Sequence, residues 1–379
     1  MIAKRICHIT TVHPAFDTRI FGKECLSLVK AGFDVHLVVV NGKTEVLQGI
    51  QIHGVPVNFT KRVQRITKAP KAAMKAALEL DAAIYHFHDP EFIPAALKLI
   101  AKGKKVIYDV HEDVGGQIKT KYWVPKLLRN LVSGAFKKYE DYAARKMTFI
   151  VTATPWIRDR FVGYNDAVED VNNYPILGEL FRPDTDRNPK NEVAYVGGLS
   201  VIRGLIPLIQ ALPKTKDVRM NMIGGYSPES FAEVLRAEPG FACVNELGMK
   251  NRTEVAEILA QSVAGMVTFL PAPNHIDAQP NKMFEYMSAG IPVVASNFPL
   301  WRKIIEGNNC GICVDPEDPK AMAEAIDYLV EHKEEAKKMG KNGRAAVEEK
   351  YNWEVEERKL IAIYNRLLGI NEPTDGQSK

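Results

Sequence analysis

Asp277 and Glu285 are carboxylates eight residues apart, with Lys282 between them, in the run Asp277-Ala-Gln-Pro-Asn-Lys-Met-Phe-Glu285-Tyr-Met-Ser-Ala-Gly290. Asp277 falls in a loop, and Lys282 falls at the start of a helix that Gly290 and Pro292 end. The N–H groups of a helix start attract anions, and an ammonium beside them adds charge of the same sign. A second pattern is Val196-Gly197-Gly198-Leu-Ser-Val-Ile-Arg203-Gly204, after an apolar run and before a helical one. Such a turn leaves backbone N–H groups open to phosphate, and the planar guanidinium of Arg203 suits phosphate oxygens. Neither the GxGxxG pattern nor a GxxxxGK[ST] phosphate loop occurs.

Three polar loops stand in the first half, each after a strand-like run. They are His13-Pro-Ala-Phe-Asp17-Thr-Arg19, His86-Phe-His88-Asp89-Pro-Glu91 and Asp109-Val-His111-Glu112-Asp113. His86 and His88 point the same way if the strand continues, and so do Asp109 and His111. These clusters suit either a metal or acid–base chemistry, and the sequence leaves both open. His86 also reads as a plain core histidine, and Glu112 and Asp113 as helix caps. Cys310-Gly-Ile-Cys313 has the spacing of half a zinc site, but no second pair lies nearby. It reads better as a buried strand with two small thiols.

These residues need elements to hold them. Apolar runs of strand type cover residues 6–11, 35–40, 82–85, 106–108 and 149–152. In the second half they cover 193–195, 220–223, 243–247, 265–269, 292–295 and 311–314. Helical patterns fill the gaps, one of them with Phe21, Cys25, Leu26, Leu28 and Val29 on one face and Gly32 as its stop. Alternation of this kind predicts an α/β fold of doubly wound parallel sheets. Ligands of such sheets sit beyond the carboxyl ends of the strands, where the polar loops fall.

The chain has 379 residues, more than one compact core accommodates, and predicts two domains. The expected boundaries are 1–178 and 191–352, with 179–190 as connection, a helix over 353–369 and a disordered tail over 370–379. With 46% hydrophobic and 25% charged residues, the chain is neither wholly disordered nor a disulfide scaffold. Its five scattered cysteines suit a reducing compartment. The N-terminus lacks the form of a signal peptide, and no run is long enough to span a membrane, so the expected location is cytoplasmic. The net charge of +4 hides a contrast. Residues 1–175 hold 26 Lys+Arg and 17 Asp+Glu, or +9, and residues 176–379 hold 24 and 29, or −5. Lys61, Arg62, Arg65, Lys68 and Lys71 form one basic cluster, and residues 119–138 form another, interleaved with aromatic and leucine residues. That stretch fits an anionic membrane surface, which would make the protein peripheral at the inner face. Alternatively, it is a packed helix with Leu127, Leu128 and Leu131 facing the core. Nucleic acid is not an expected partner, since no recognition motif accompanies the charge.

The run PNKMFEYMSAGIPVVAS (280–296), with Asp277 before it, resembles the E-x7-E signature of group 1 retaining glycosyltransferases of the GT-B fold. VAYVGGLSVIRGLIPLIQAL (193–212), NCGICVDPEDPKAMAEAI (309–326) and YNWEVEERKLIAIYNRLL (351–368) support the likeness. So do DTRIFGKECLSLVKAGFDV (17–35), YHFHDPEFIPAALKL (85–99) and VIYDVHED (106–113). The resemblance implies two Rossmann-like domains facing a central cleft, acceptor recognition in the first and nucleotide-sugar binding in the second. It also implies that the last helix packs back on the first domain. It puts Glu285 on the donor ribose, Asp277 on the transferred sugar, Arg203 on the diphosphate and His111 near the reaction centre. Gly197 and Gly198 line the donor turn, and Gly198 stands where many members carry a second arginine, whose charge Lys282 would supply. Asp277 is one methylene shorter than the usual glutamate. Asp17, Arg19, His88 and Glu112 become acceptor-side candidates, with Arg19 either on a phosphate or paired with Asp17 at the rim. The implied reaction needs no metal or cofactor beyond a nucleotide-sugar co-substrate, UDP-linked before GDP-linked, and a glycan or lipid-linked glycan acceptor. A nucleotide-sugar epimerase and a non-catalytic sugar-nucleotide binder are the alternatives.

Overall fold

The computed structural model describes residues 4–119, 124–183, 187, 189–272 and 275–370. The chain divides into two units, Met1–Asn173 with Glu356–Lys379, and Tyr174–Val355. Segment 179–190, read above as a connection, belongs to the second unit. Leu180 is buried in that unit's core, and Arg187 donates to the Gly290 carbonyl at 2.8 Å. The tail 371–379 lies outside the described residues.

Among the described residues the first unit carries eight strands. They are β1 (Arg5–Thr10), β2 (Asp34–Val40), β3 (Glu45–Leu47), β4 (Ile50–Val55), β5 (Ile84–Phe87), β6 (Lys105–Val110), β7 (Phe149–Thr152) and β8 (Val168–Asp170). Their order is β3-β4-β2-β1-β5-β6-β7-β8, parallel except for β3 against β4. The central strands are buried along nearly their whole length, as expected of a sheet covered on both faces. β1 lies between β2 and β5, so the winding reverses there, and this is the unit's switch point. β5 runs two residues later than its apolar pattern suggests, which brings His86 onto the strand. The helix expected after residue 20 opens instead as a π-helical turn, Ile20–Cys25, before continuing as Leu26–Lys30. The Glu24 N–H bonds back to the Arg19 carbonyl at 2.9 Å, and both side chains are buried. Single π turns of this kind gather at functional positions.

The second unit carries β9 (Glu192–Val196), β10 (Arg219–Ile223), β11 (Val244–Gly248), β12 (Ala264–Val267), β13 (Val293–Ser296) and β14 (Gly311–Val314). The order β11-β10-β9-β12-β13-β14 is parallel throughout, with its switch point between β9 and β12. The helix Asn281–Ala289 packs on β12 so closely that a Cβ on Gly265 would stand 2.2 Å from the Tyr286 ring. The Tyr286 hydroxyl accepts the Val196 N–H at 2.8 Å, which fixes this helix to the end of β9. Cys310 and Cys313 are free, and burial pushes both thiols up to about 12, which leaves them protonated and inert at neutral pH.

The helix Trp353–Leu368 enters the first unit from Glu356 onward. There the Glu356 carboxylate accepts the Asn172 N–H at 2.9 Å, and Tyr364 is fully buried. No described helix is long and apolar enough to cross a membrane.

Candidate functional site

In the second unit the distinctive groups gather at the β9/β12 switch point. Gly204 follows the 3-10 turn Val201–Arg203 with φ of +71°, and a Cβ there would meet the Thr268 carbonyl oxygen at 1.7 Å. Only glycine lets the Arg203 turn lie this close to the end of β12. The Arg203 guanidinium stacks over Phe269 at 4.1 Å. Lys282 extends from the first turn of its helix, 8% exposed, with its ammonium 3.6 Å from the Tyr195 ring centre and 5.5 Å from that of Phe269. A Cβ on Gly197 would come within 3.0 Å of the Lys282 Nζ, so Gly197 makes room for it. That nitrogen has no hydrogen-bond partner among the described residues. Burial, then the charge of Arg203, lowers its pKa well below the usual lysine range. Two basic side chains, each against an aromatic face, make a site suited to an anion.

The Gly197–Gly198 turn is less open to phosphate than expected. The Gly197 N–H is spent on the Ile223 carbonyl at 2.9 Å, and the helix begins only at Leu205. Glu285 is held by Arg252 at 2.9 Å, and Arg252 reaches Glu179 at 2.8 Å. Arg252 and Glu179 carried no signal in the sequence, because the pairing joins three distant segments. The loop bearing Asp277 is clamped beside it, as Trp301 donates to the Ala278 carbonyl at 2.7 Å and Tyr174 to Gln279 at 3.0 Å. Asp277 itself is half-buried.

The first unit builds a polar network at the β1/β5 switch point. Asp109 is fully buried at the end of β6. Arg19 grips its two oxygens through Nε and Nη2, both at 2.9 Å, and donates through Nη1 to the Val171 carbonyl at 2.7 Å. His111 and His88 approach Asp109 Oδ2 at 2.8 and 3.1 Å. Burial would raise the Asp109 carboxyl, but Arg19 and His111 hold it well below the carboxylate range. Beside this, Asp89 accepts from the Thr11 N–H at 2.6 Å, the Thr10 hydroxyl at 2.8 Å and His13 at 3.0 Å. Despite burial, these donors hold Asp89 at about 2, with His13 the strongest. His13 packs its ring 5.0 Å from that of His111.

Two acceptor-side expectations therefore fail. Arg19 neither reaches a phosphate nor pairs with Asp17 at a rim, because its guanidinium is 3% exposed and committed to Asp109 and Glu24. His88 is sealed in the network and not open to an acceptor. Asp17 is half-buried and accepts the Arg19 and Ile20 N–H groups at 2.8 and 3.0 Å. Glu112 is exposed and bonded to Gln117, and Asp113 caps the helix Val114–Ile118. His111 stays partly exposed at the edge of the network. His13, named in the sequence only as the start of the first polar loop and given no role of its own, is a further neighbour of this network. Only its place just past an apolar run pointed to it.

Two α/β units, each with polar groups gathered at its switch point, define a doubly wound architecture. The solved structures it resembles give the GT-B fold. Sucrose-phosphate synthase of Thermosynechococcus elongatus aligns with a TM-score of 0.79 and 17% identity, over 97% of this chain and 100% of that one. WaaG, a glycosyltransferase of lipopolysaccharide biosynthesis, aligns at 0.73 and 13%, over 94% and 99%. HepE of Anabaena, in complex with UDP and glucose, aligns at 0.73 and 11%, over 96% and 100%.

Residues 179–346 match the family described as glycosyl transferases group 1, and residues 24–171 match glycosyltransferase family 4. The chain belongs to the group 1 glycosyltransferases. Among curated relatives, an MMP α-(1→4)-mannosyltransferase of Mycolicibacterium hassiacum is 22% identical, over 74% of this chain and 70% of the relative. A phosphatidyl-myo-inositol mannosyltransferase of Mycolicibacterium smegmatis is 23% identical, over 83% and 80%. The capsular polysaccharide glycosyltransferase CapM of Staphylococcus aureus is 24% identical, over 66% and 71%.

Proposed function

We propose that this chain is a retaining hexosyltransferase that moves a sugar from a nucleotide-sugar donor to a glycan or lipid-linked glycan in cell-surface polysaccharide biosynthesis. The observation that carries the reading is the buried amine of Lys282, which has no hydrogen-bond partner among the described residues and lies beside Arg203 at the second switch point. As the anomeric bond breaks, charge grows on the departing diphosphate, and fixed cations in a dry site stabilise that charge most. Lys282 and Arg203 fill this role without a divalent ion. Glu285, steadied by Arg252, holds the ribose, and Asp277 holds the transferred sugar. His111 acts near the anomeric carbon, and the attack is front-face, assisted by the leaving phosphate. The paired-carboxylate chemistry of glycosidases has no part in it. HepE, whose structure holds UDP and glucose, favours UDP over GDP as the donor base.

A thermal-shift screen against UDP-, GDP- and ADP-sugars tests this reading. One class, UDP first, is expected to raise the melting temperature of the wild type, with and without EDTA, and to lose that effect in Arg203→Ala. A shift that appears only with added divalent ions, or none with any donor, would count against it.

Membrane contact belongs to the same proposal. Leu127 is 96% and Leu131 69% exposed, so the alternative of a core-facing leucine stripe fails. Residues 120–123 of the basic stretch lie outside the described residues. Lys126, Lys138 and these leucines make an apolar and cationic surface suited to anionic lipid, and peripheral at the cytoplasmic face. Co-sedimentation with phosphatidylglycerol vesicles is expected to exceed that with phosphatidylcholine, and Leu127→Asp/Leu131→Asp to remove the difference. Binding indifferent to anionic lipid would defeat the idea.

A further inference from the structure

Three histidines at the first switch point serve no step proposed above. His8 on β1 is the register partner of His86 on β5, and His88 follows two residues later, so all three stand on one face of the sheet. Glu24 reaches the same spot from the π-helical turn. One nitrogen from each histidine and one Glu24 oxygen lie within 4.8 Å of one another, in residues at most 2% exposed. The outer nitrogens are occupied. His8 Nε2 and His86 Nδ1 lie 3.0 and 2.7 Å from the Tyr364 hydroxyl, and His88 Nδ1 lies 3.1 Å from Asp109. The inner atoms are not settled in this way. His8 Nδ1 faces His88 Nε2 at 3.0 Å, and His86 Nε2 and Glu24 Oε2 have no hydrogen-bond partner among the described residues. If the outer nitrogens carry the protons, two lone pairs confront each other across that 3.0 Å gap. A flip of the His8 tautomer relieves that contact, yet gives neither His86 Nε2 nor Glu24 Oε2, 3.9 Å from His8 Nδ1, a hydrogen bond.

We propose that His8 Nδ1, His86 Nε2, His88 Nε2 and a Glu24 oxygen bind one divalent transition-metal ion of the zinc class, as a structural site. A tetrahedral zinc holds such ligands about 3.4 Å apart. His8 Nδ1 and His88 Nε2, 3.0 Å apart, and His8 Nδ1 and Glu24 Oε2, 3.9 Å apart, are already near this. Three imidazoles and a carboxylate suit zinc or cobalt rather than the all-oxygen shells of calcium and magnesium. Asp109 on His88, and Tyr364 on the other two rings, are the outer partners that fix ring orientation at metal sites. Arg19 pairs with Glu24 through Oε1 at 2.9 Å as well as with Asp109, so the Glu24 oxygen offered to the cation is Oε2. The rival set, His88, Asp109 and His111, is less suited because Arg19 already holds both Asp109 oxygens. The ion would tie the last helix to the sheet through Tyr364 and steady the His88–Asp109–His111 chain. It belongs to the first unit and takes no part in the diphosphate chemistry assigned to the second.

The test uses the full chain with any affinity tag removed, grown with zinc or with cobalt and washed with EDTA. About one metal ion per chain is expected by elemental mass spectrometry, with the intense visible absorption of tetrahedral cobalt in the cobalt form. His86→Gln should fall below about a tenth of an ion per chain, and His111→Gln should keep its metal, which separates the two sets. Wild type without metal from either medium, or His86→Gln that retains it, would overturn the site. If His86→Gln does not fold, the wild-type metal content and cobalt spectrum decide alone.

Discussion

Lys282→Met is expected to lower kcat/KM for the nucleotide-sugar donor by about 10²–10³, or roughly 3–4 kcal/mol of transition-state stabilisation. Methionine keeps most of the apolar stem against Tyr195 and Phe269 while removing the charge. The fold should therefore survive, and with it the melting temperature of the free chain. Removing a buried amine that has no hydrogen-bond partner among the described residues can even stabilise the unliganded protein, since its desolvation cost goes with it. Loss of turnover together with equal or higher stability is the signature of a group kept for its ligand. Equal turnover in Lys282→Met would remove the lysine from the chemistry.

The second large effect falls on stability. Asp109→Asn leaves the Arg19 guanidinium buried with Glu24 as its remaining acid partner, and breaking such a pair costs about 3 kcal/mol or more. The melting temperature should drop by roughly 6–12 °C. His111 also loses the carboxylate that orients it at 2.8 Å, so turnover should fall further than stability explains. Asp17→Asn, which only weakens an acceptor of two backbone N–H groups near the surface, is the matched control. A change below about 2 °C in Asp109→Asn would show that the network does not depend on its central carboxylate.

Much of this was legible in the sequence, and the rest was hidden for physical reasons. The apolar runs found the buried central strands because parallel strands covered on both faces read as continuous hydrophobic stretches. β3, β4 and β8 escaped because they are short or half exposed and carry no such run. Lys282 and Arg203 were legible because local spacing places them at loop and helix starts. Arg19 was misread because its partner Asp109 lies ninety residues away, and nothing near Arg19 reveals a buried carboxylate. The Arg252–Glu285–Glu179 link and the His8–Glu24–Tyr364 cluster were invisible for the same reason. His8 in particular looks like an interruption of an apolar strand until β5 is laid beside it.

Titration calorimetry of UDP and GDP into the wild type and Lys282→Met, at pH 7 and pH 9 and in two buffers of different ionisation enthalpy, puts the donor site to the proof. In the free chain Lys282 is held well below the usual lysine range, so an arriving diphosphate raises its pKa and draws a proton onto it. Proton uptake on binding means that affinity falls as pH rises between the free and bound pKa values. The expected result is saturable binding of one nucleotide, weaker at pH 9, with a proton taken up by the wild type and none by Lys282→Met. Absence of binding by either nucleotide, or binding with the same affinity and proton count in both proteins, would contradict a donor site built around Lys282.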